Sequence, residues 1–130
     1  MTDEVATWLI AAWQTITALG IAAFWLTWFR EEHAEPWLPE GYVEHERVFV
    51  FPDSVLSLLL IASAVLQIAE EPLGGSLALL CAGMLTFLGV IDAAYFAQHG
   101  MFARNRGGVI NGGIIASTLA LAVVLVVRFA

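Results

Sequence analysis

Apolar and polar positions along the chain sort into four long apolar runs and three polar connections. The runs cover about 5–29, 52–69, 73–97 and 108–127, and Leu, Ala, Ile and Val with scattered Gly fill them. Apart from Asp53 at the mouth of the second, the only charge inside them is Asp92. A helix needs roughly 20 apolar residues to cross the hydrocarbon of a bilayer. The second run reaches that length only if its helix starts near Phe51 or the bilayer thins locally. The pattern therefore predicts an all-α fold, a four-transmembrane-helix antiparallel bundle with both termini on the same side, built as a single domain over 1–130.

The connections differ in kind. Glu70-Glu71-Pro72 is so short that the second and third helices must be antiparallel neighbours. The stretch 98–107 is a medium loop carrying Arg104 and Arg106. The first connection, 30–51, is long and acidic. Taken to Asp53 it holds seven acids (Glu31, Glu32, Glu35, Glu40, Glu44, Glu46 and Asp53) against Arg30 and Arg47. Such a charge run reads as a solvated loop. Pro36 and Pro39 break any long helix there, and a short interfacial piece is expected around Trp37-Leu38.

Composition narrows the class. Hydrophobic residues make up 60% of the 130 and charged residues 13%, with a mean hydropathy of +0.83. Soluble domains are closer to half apolar and a quarter charged, and a water-soluble globule of this size could not hide so much apolar surface. The expected partner is the lipid bilayer. A net charge of -7, the absence of lysine and the lack of a basic patch argue against a nucleic-acid partner. The lone Cys81 cannot form an internal disulfide and should behave as a small hydrophobe. The start Met1-Thr2-Asp3-Glu4 lacks the positive n-region of a secretory signal, so the first run is expected to be a retained span. Trp8, Trp13, Trp25 and Trp28 lie near its two ends, where tryptophan anchors helices at the headgroups.

Arginine sets the expected orientation. The first and third connections carry Arg30, Arg47, Arg104 and Arg106, and the other side has only Arg128. The positive-inside rule then puts 30–51 and 98–107 in the cytoplasm, with both termini outside an inner, or cell, membrane.

Lipid gives no hydrophobic drive for helix association, so small residues that let backbones approach are informative. The third run carries Gly74, Ala78, Ala82 and Thr86 at a spacing of four, and the fourth carries Gly108, Gly112, Ala116 and Ala120. Each set shares one helix face. They are seams within one bundle or, for Gly108, Gly112 and Ala116, a contact between copies in a homo-oligomer.

Asp92 is the most informative residue. A carboxylate at mid-bilayer costs about 2.5–3.5 kcal/mol on insertion scales, so an intramembrane acid suggests function. The plain alternative is a structural hydrogen bond to another helix. Asp92 lies about six residues from the third connection, about 9 Å of helix rise. His99 follows it by seven residues, on the same helix face, with Tyr95 and Gln98 bordering. Asn111 and Asp53 belong to the same membrane side. Asp53, Asp92, Tyr95, Gln98, His99 and Asn111 are therefore the candidate ligand-binding set. Each has a structural alternative: a first-turn acid for Asp53, a helix end for His99-Gly100, an interhelical amide bond for Asn111 and an interface anchor for Tyr95. His33, His45, His99 and neighbouring acids supply groups a divalent metal takes, but no diagnostic ligand spacing is present. No phosphate-binding glycine loop and no Gly-x-Ser-x-Gly nucleophile setting occurs.

Phe51-Pro52-Asp53, then Phe87-Leu88-Gly89 with Asp92 and Phe96, then Gln98-His99-Gly100 and Asn111 resemble a widespread group of small prokaryotic four-helix integral membrane proteins. The likeness covers roughly 51–111, and this chain has a longer and more acidic first loop. The group has no assigned activity, so the resemblance implies a fold and no reaction, and no cofactor follows from it. Three functions remain in view. One is a ligand- or ion-binding or transport module whose polar pocket faces the cytoplasm. Another is an assembly subunit docked on a larger membrane complex. The last is a membrane-embedded enzyme with Asp92 and His99 as acid and base. The concentration of polar residues on one membrane side favours the first.

Overall fold

Helix ends explain where each segment starts and stops. A computed structural model describes residues 2–101 and 106–130, with Arg106 described by its backbone alone. Met1 and Arg104 lie outside the described residues. Helix α1 runs Asp3–Trp28, and the Thr2 hydroxyl accepts from the Val5 N–H at 3.2 Å, a side-chain N-cap followed by Asp3 and Glu4 in the first turn. Helix α2 covers Tyr42–Val48, α3 Val50–Ile68, α4 Pro72–Gln98 and α5 Arg106–Phe129. No strand occurs among the described residues.

Two turns close in the same way with different residues. After α4, Gly100 takes a left-handed φ of 67° and the Met101 N–H bonds the Phe96 carbonyl at 2.8 Å. After α3, Glu70 takes φ 59° and the Glu71 N–H bonds the Leu66 carbonyl at 2.9 Å. This is the helix-ending pattern in which a glycine is usual. Pro72 then opens α4, where a missing N–H costs nothing.

The four long helices pack as an antiparallel bundle in the order α1, α3, α4, α5, with α1 touching α5 only lightly. Their core is a layer of Leu56, Leu60, Leu85, Leu121 and Leu125, each at most 1% exposed, with Ala78, Cys81 and Ala82 fitted between. The outside is apolar as well. Ile16, Leu58, Phe87 and Val127 are each more than two-thirds exposed. A protein in water does not present such a surface on every side, whereas lipid accepts it. All four helices are long and apolar enough to span a membrane, so the chain is a multi-pass membrane protein by its architecture.

The α4 ladder of small residues is a seam inside the bundle over its first three members, and Thr86 at its end is exposed. Gly74, Ala78 and Ala82 are buried, and a Cβ at Gly74 would lie 2.6 Å from the Gln67 backbone nitrogen of α3. Phe49 ends α2 and begins α3, so α3 starts at Val50, close to the Phe51 start that a spanning length for the second run required. Two expectations need correction. The acidic connection contains a helix, and it is α2 rather than a piece at Trp37-Leu38, which forms a turn. Trp25 and Trp28 turn inward, 6% and 4% exposed, while Trp8 stays 54% exposed as a headgroup anchor would.

Candidate functional site

The end of the bundle where α1 and α4 finish and α3 and α5 begin holds an unusual density of acids and aromatic rings. Asp53 sits in the first turn of α3, as expected, but its side chain caps nothing on its own helix. Its Oδ2 accepts from the Trp25 indole N–H of α1 at 2.9 Å, and this bond draws Trp25 into the interior. Its Oδ1 is buried with no donor. Glu46 comes from α2. It is 8% exposed, so it is not one of the solvated acids that the first connection was expected to contain. Asp92 is half-buried on α4. Glu46 feels the charges of both Asp92 and Asp53, and Asp92 feels that of Asp53. Three helices thus bring three carboxylates into mutual repulsion at the edge of an apolar core, with a single indole donor assigned to one of them.

Aromatic contacts hold α2 over this cluster. The His45 ring stacks on Tyr95 of α4, with centroids 4.0 Å apart and planes 6° apart. Tyr95 in turn lies 4.4 Å from the His99 ring. The Trp28 indole donates to the Tyr42 hydroxyl at 3.4 Å, which ties α1 to α2.

The six residues expected from the sequence therefore divide. Asp53 and Asp92 join the carboxylate cluster. Tyr95 borders it and is close enough to Glu46 to feel its charge. His99 caps α4 and is exposed, and Gln98, the last residue of α4, is exposed too. Asn111 is half-buried and donates to the Met101 carbonyl at 3.4 Å, tying α5 to the turn after α4. Glu46 was missed because nothing in a run of acids marks which one is buried.

A second polar set lies on the other side of the leucine layer. Gln14 of α1 donates to the Leu60 carbonyl at 3.2 Å. Gln67 donates to Gln14 Oε1 at 2.6 Å and to Ser63 at 3.0 Å, and Ser63 donates to the Gly74 carbonyl at 2.7 Å. All three side chains are buried. The signal for finding them was in the sequence, since a lone glutamine within an apolar run must find a partner.

Two hollows are open on the surface. An apolar groove of about 540 Å³ runs along α4 from Leu79 to Val90 on the lipid-facing side, and a more polar one of about 220 Å³ is lined by the connection from His33 to Gly41 and the first turn of α2. Neither takes in any of the six expected residues. Among the described residues, no three His, Cys, Asp or Glu side chains are grouped to hold a metal ion. No protein-family model, curated protein or solved structure matches the chain.

Proposed function

We propose that this small integral membrane protein binds a positively charged ligand at the Glu46–Asp53–Asp92 cluster, on the side that its arginines assign to the cytoplasm. The observation that carries this reading is Asp53. Asp53 is 8% exposed, and its carboxylate has a single indole donor and leaves Oδ1 buried without one. An ionised group in such surroundings is expensive without a counter-charge, and a bound cation supplies one. The acidic first connection raises the local concentration of cations at the same surface.

Binding is favoured over conduction through one copy. The leucine layer separates the carboxylates from the Gln14–Ser63–Gln67 set, and its five side chains are at most 1% exposed. A transport cycle would have to part that layer. Self-association through α5 is compatible with this reading: a Cβ at Gly112 or Gly113 would meet nothing within 4 Å, Ala116 and Ala120 are exposed, and Gly108 is buried.

The test is a titration of the purified protein in detergent with a series of alkylammonium salts, reading intrinsic tryptophan fluorescence, to which Trp25 contributes. At least one of them should give a saturable change that Asp53→Asn and Asp92→Asn each weaken by tenfold or more. Responses that survive both substitutions unchanged, or no response from any cation, would reject the proposal.

A further inference from the structure

At the carboxylate end of the bundle, two buried polar atoms among the described residues have no hydrogen-bond partner: Asp53 Oδ1 on α3 and His45 Nε2 on α2. We propose that the cation taken at the Glu46–Asp53–Asp92 cluster is a protonated amine, recognised by an N–H that it donates to Asp53 Oδ1. This rests on the cation-binding reading above and narrows it. Charge alone is not enough, and a quaternary ammonium or a metal ion is a poor ligand.

The need for a donor comes from how Asp53 is held. The residue is more than nine-tenths buried. Its Oδ2 takes the Trp25 indole N–H at 2.9 Å. The Trp25 ring is itself fixed, packed edge to face against Phe24 and Trp28 with centroids 5.1 and 5.2 Å away. A group that can only donate thus orients the carboxylate, and the oxygen left over is closed to solvent and has no donor. A buried acceptor in that state is costly, and more so when charged. The stack on Tyr95 holds the second unpartnered atom, His45 Nε2, on the residue next to Glu46. An imidazole nitrogen accepts or donates according to its tautomer, whereas a carboxylate oxygen only accepts. Asp53 therefore sets the chemistry of the ligand.

The surroundings limit the class further. Glu46 and Asp92 lie within electrostatic reach of Asp53, so the donor that suits Oδ1 carries a positive charge. Among the described residues, the ion pairs are His33–Glu31 and Arg128–Asp3, and neither gives these three acids a counter-charge. The described carboxylates are not grouped to hold a metal ion, which requires oxygens converging on one point. Neither surface hollow reaches the cluster, so the part of the ligand it takes is small, an ammonium group rather than a bulky head. The rival mode comes from the rings. Trp25, His45 and Tyr95 stand at the same end, and aromatic faces attract quaternary ammonium ions. The two modes rank methylated ammonium ions in opposite orders.

Isothermal titration calorimetry of the purified protein in detergent, near neutral pH, tests this with methylammonium, dimethylammonium, trimethylammonium and tetramethylammonium chlorides. All four ions carry the same charge, and only the last has no N–H. Each of the first three should bind at least about tenfold more tightly than tetramethylammonium, the loss expected when a charge-assisted hydrogen bond cannot form. In Asp53→Asn the indole still donates and so holds the amide oxygen, which puts the amide nitrogen, a donor, in the place of Oδ1. The preference for N–H-bearing ions should then vanish. Asp92→Asn removes charge without touching Oδ1, so it should weaken all four ions alike and leave their order. Equal affinities in the wild type, as a water bonded to Oδ1 would give, would overturn the inference and leave the cation-binding reading standing. So would tetramethylammonium binding best, or a preference that survives in Asp53→Asn. Binding of none of the four would overturn both.

Discussion

The two polar ends of this bundle are built from similar materials to opposite effect. At one end, Gln14, Ser63 and Gln67 are uncharged, buried and cross-linked, with each donor aimed at a named acceptor and Gln67 Oε1 alone of their acceptors buried without a donor. At the other, Glu46, Asp53 and Asp92 are acids that repel one another and share one indole donor. Neutral amides in an apolar core are each worth a modest interhelical bond, about 0.6 kcal/mol on average in membrane bundles. Clustered carboxylates work against the fold unless something neutralises them. The first end holds the helices together, and the second gives some of that stability back, the pattern expected if it is the proposed binding site. Proteins commonly show this opposition between stability and function.

The comparison can be broken by substitution, with thermal unfolding in detergent as the common measurement. The largest effect is expected at Gly74. Its missing Cβ lets α3 and α4 touch backbone to backbone, so Gly74→Ala should cost about 2–3 kcal/mol through overpacking, and Gly74→Val more. Next comes Gln14→Leu, which strands a Gln67 donor and should cost about 1–2 kcal/mol. Asp92→Asn should move stability the other way or not at all, by up to about 1 kcal/mol, because it removes a like charge while keeping the volume. If Asp92→Asn destabilised the bundle as much as Gln14→Leu does, the two ends would be equivalent and the comparison would fail. The smallest change sharpens it. Gly100 and Glu70 fill the same left-handed position at opposite ends, so Glu70→Gly should stabilise the α3–α4 turn by about 0.5–1 kcal/mol.

The fold was legible from the sequence because lipid imposes a coarse rule, four apolar runs of spanning length separated by charge. The turn at Gly100 and the start at Pro72 were readable too, since each residue has a backbone reason to be there. The site was legible only in part. Asp92 stood out because an acid in an apolar run is costly, and Asp53 because it opens the second run on the same membrane side. Glu46 did not, since its burial depends on where α2 lies, and seven residues among acids and prolines carry no period that shows it. Trp25 was read as an anchor because its position near a helix end fits one. Its partner, Asp53, lies 28 residues away and is fixed only by the packing of α1 on α3. Gln14 and Gln67 carried a usable signal that a search confined to charges passes over.

Phe49 has a mechanical consequence. As the one residue between α2 and α3 it has φ -73° and ψ -11°, near enough to helical values that the two helices follow almost without a break, and the Phe49 and Asp53 N–H groups bond the Glu46 and Phe49 carbonyls across it at 2.9 Å. Glu46 rides on the short arm, three residues from the pivot, or about 4.5 Å along the axis. The placing of that carboxylate beside α3 and α4 is therefore set by the torsions of one residue and by the His45–Tyr95 stack.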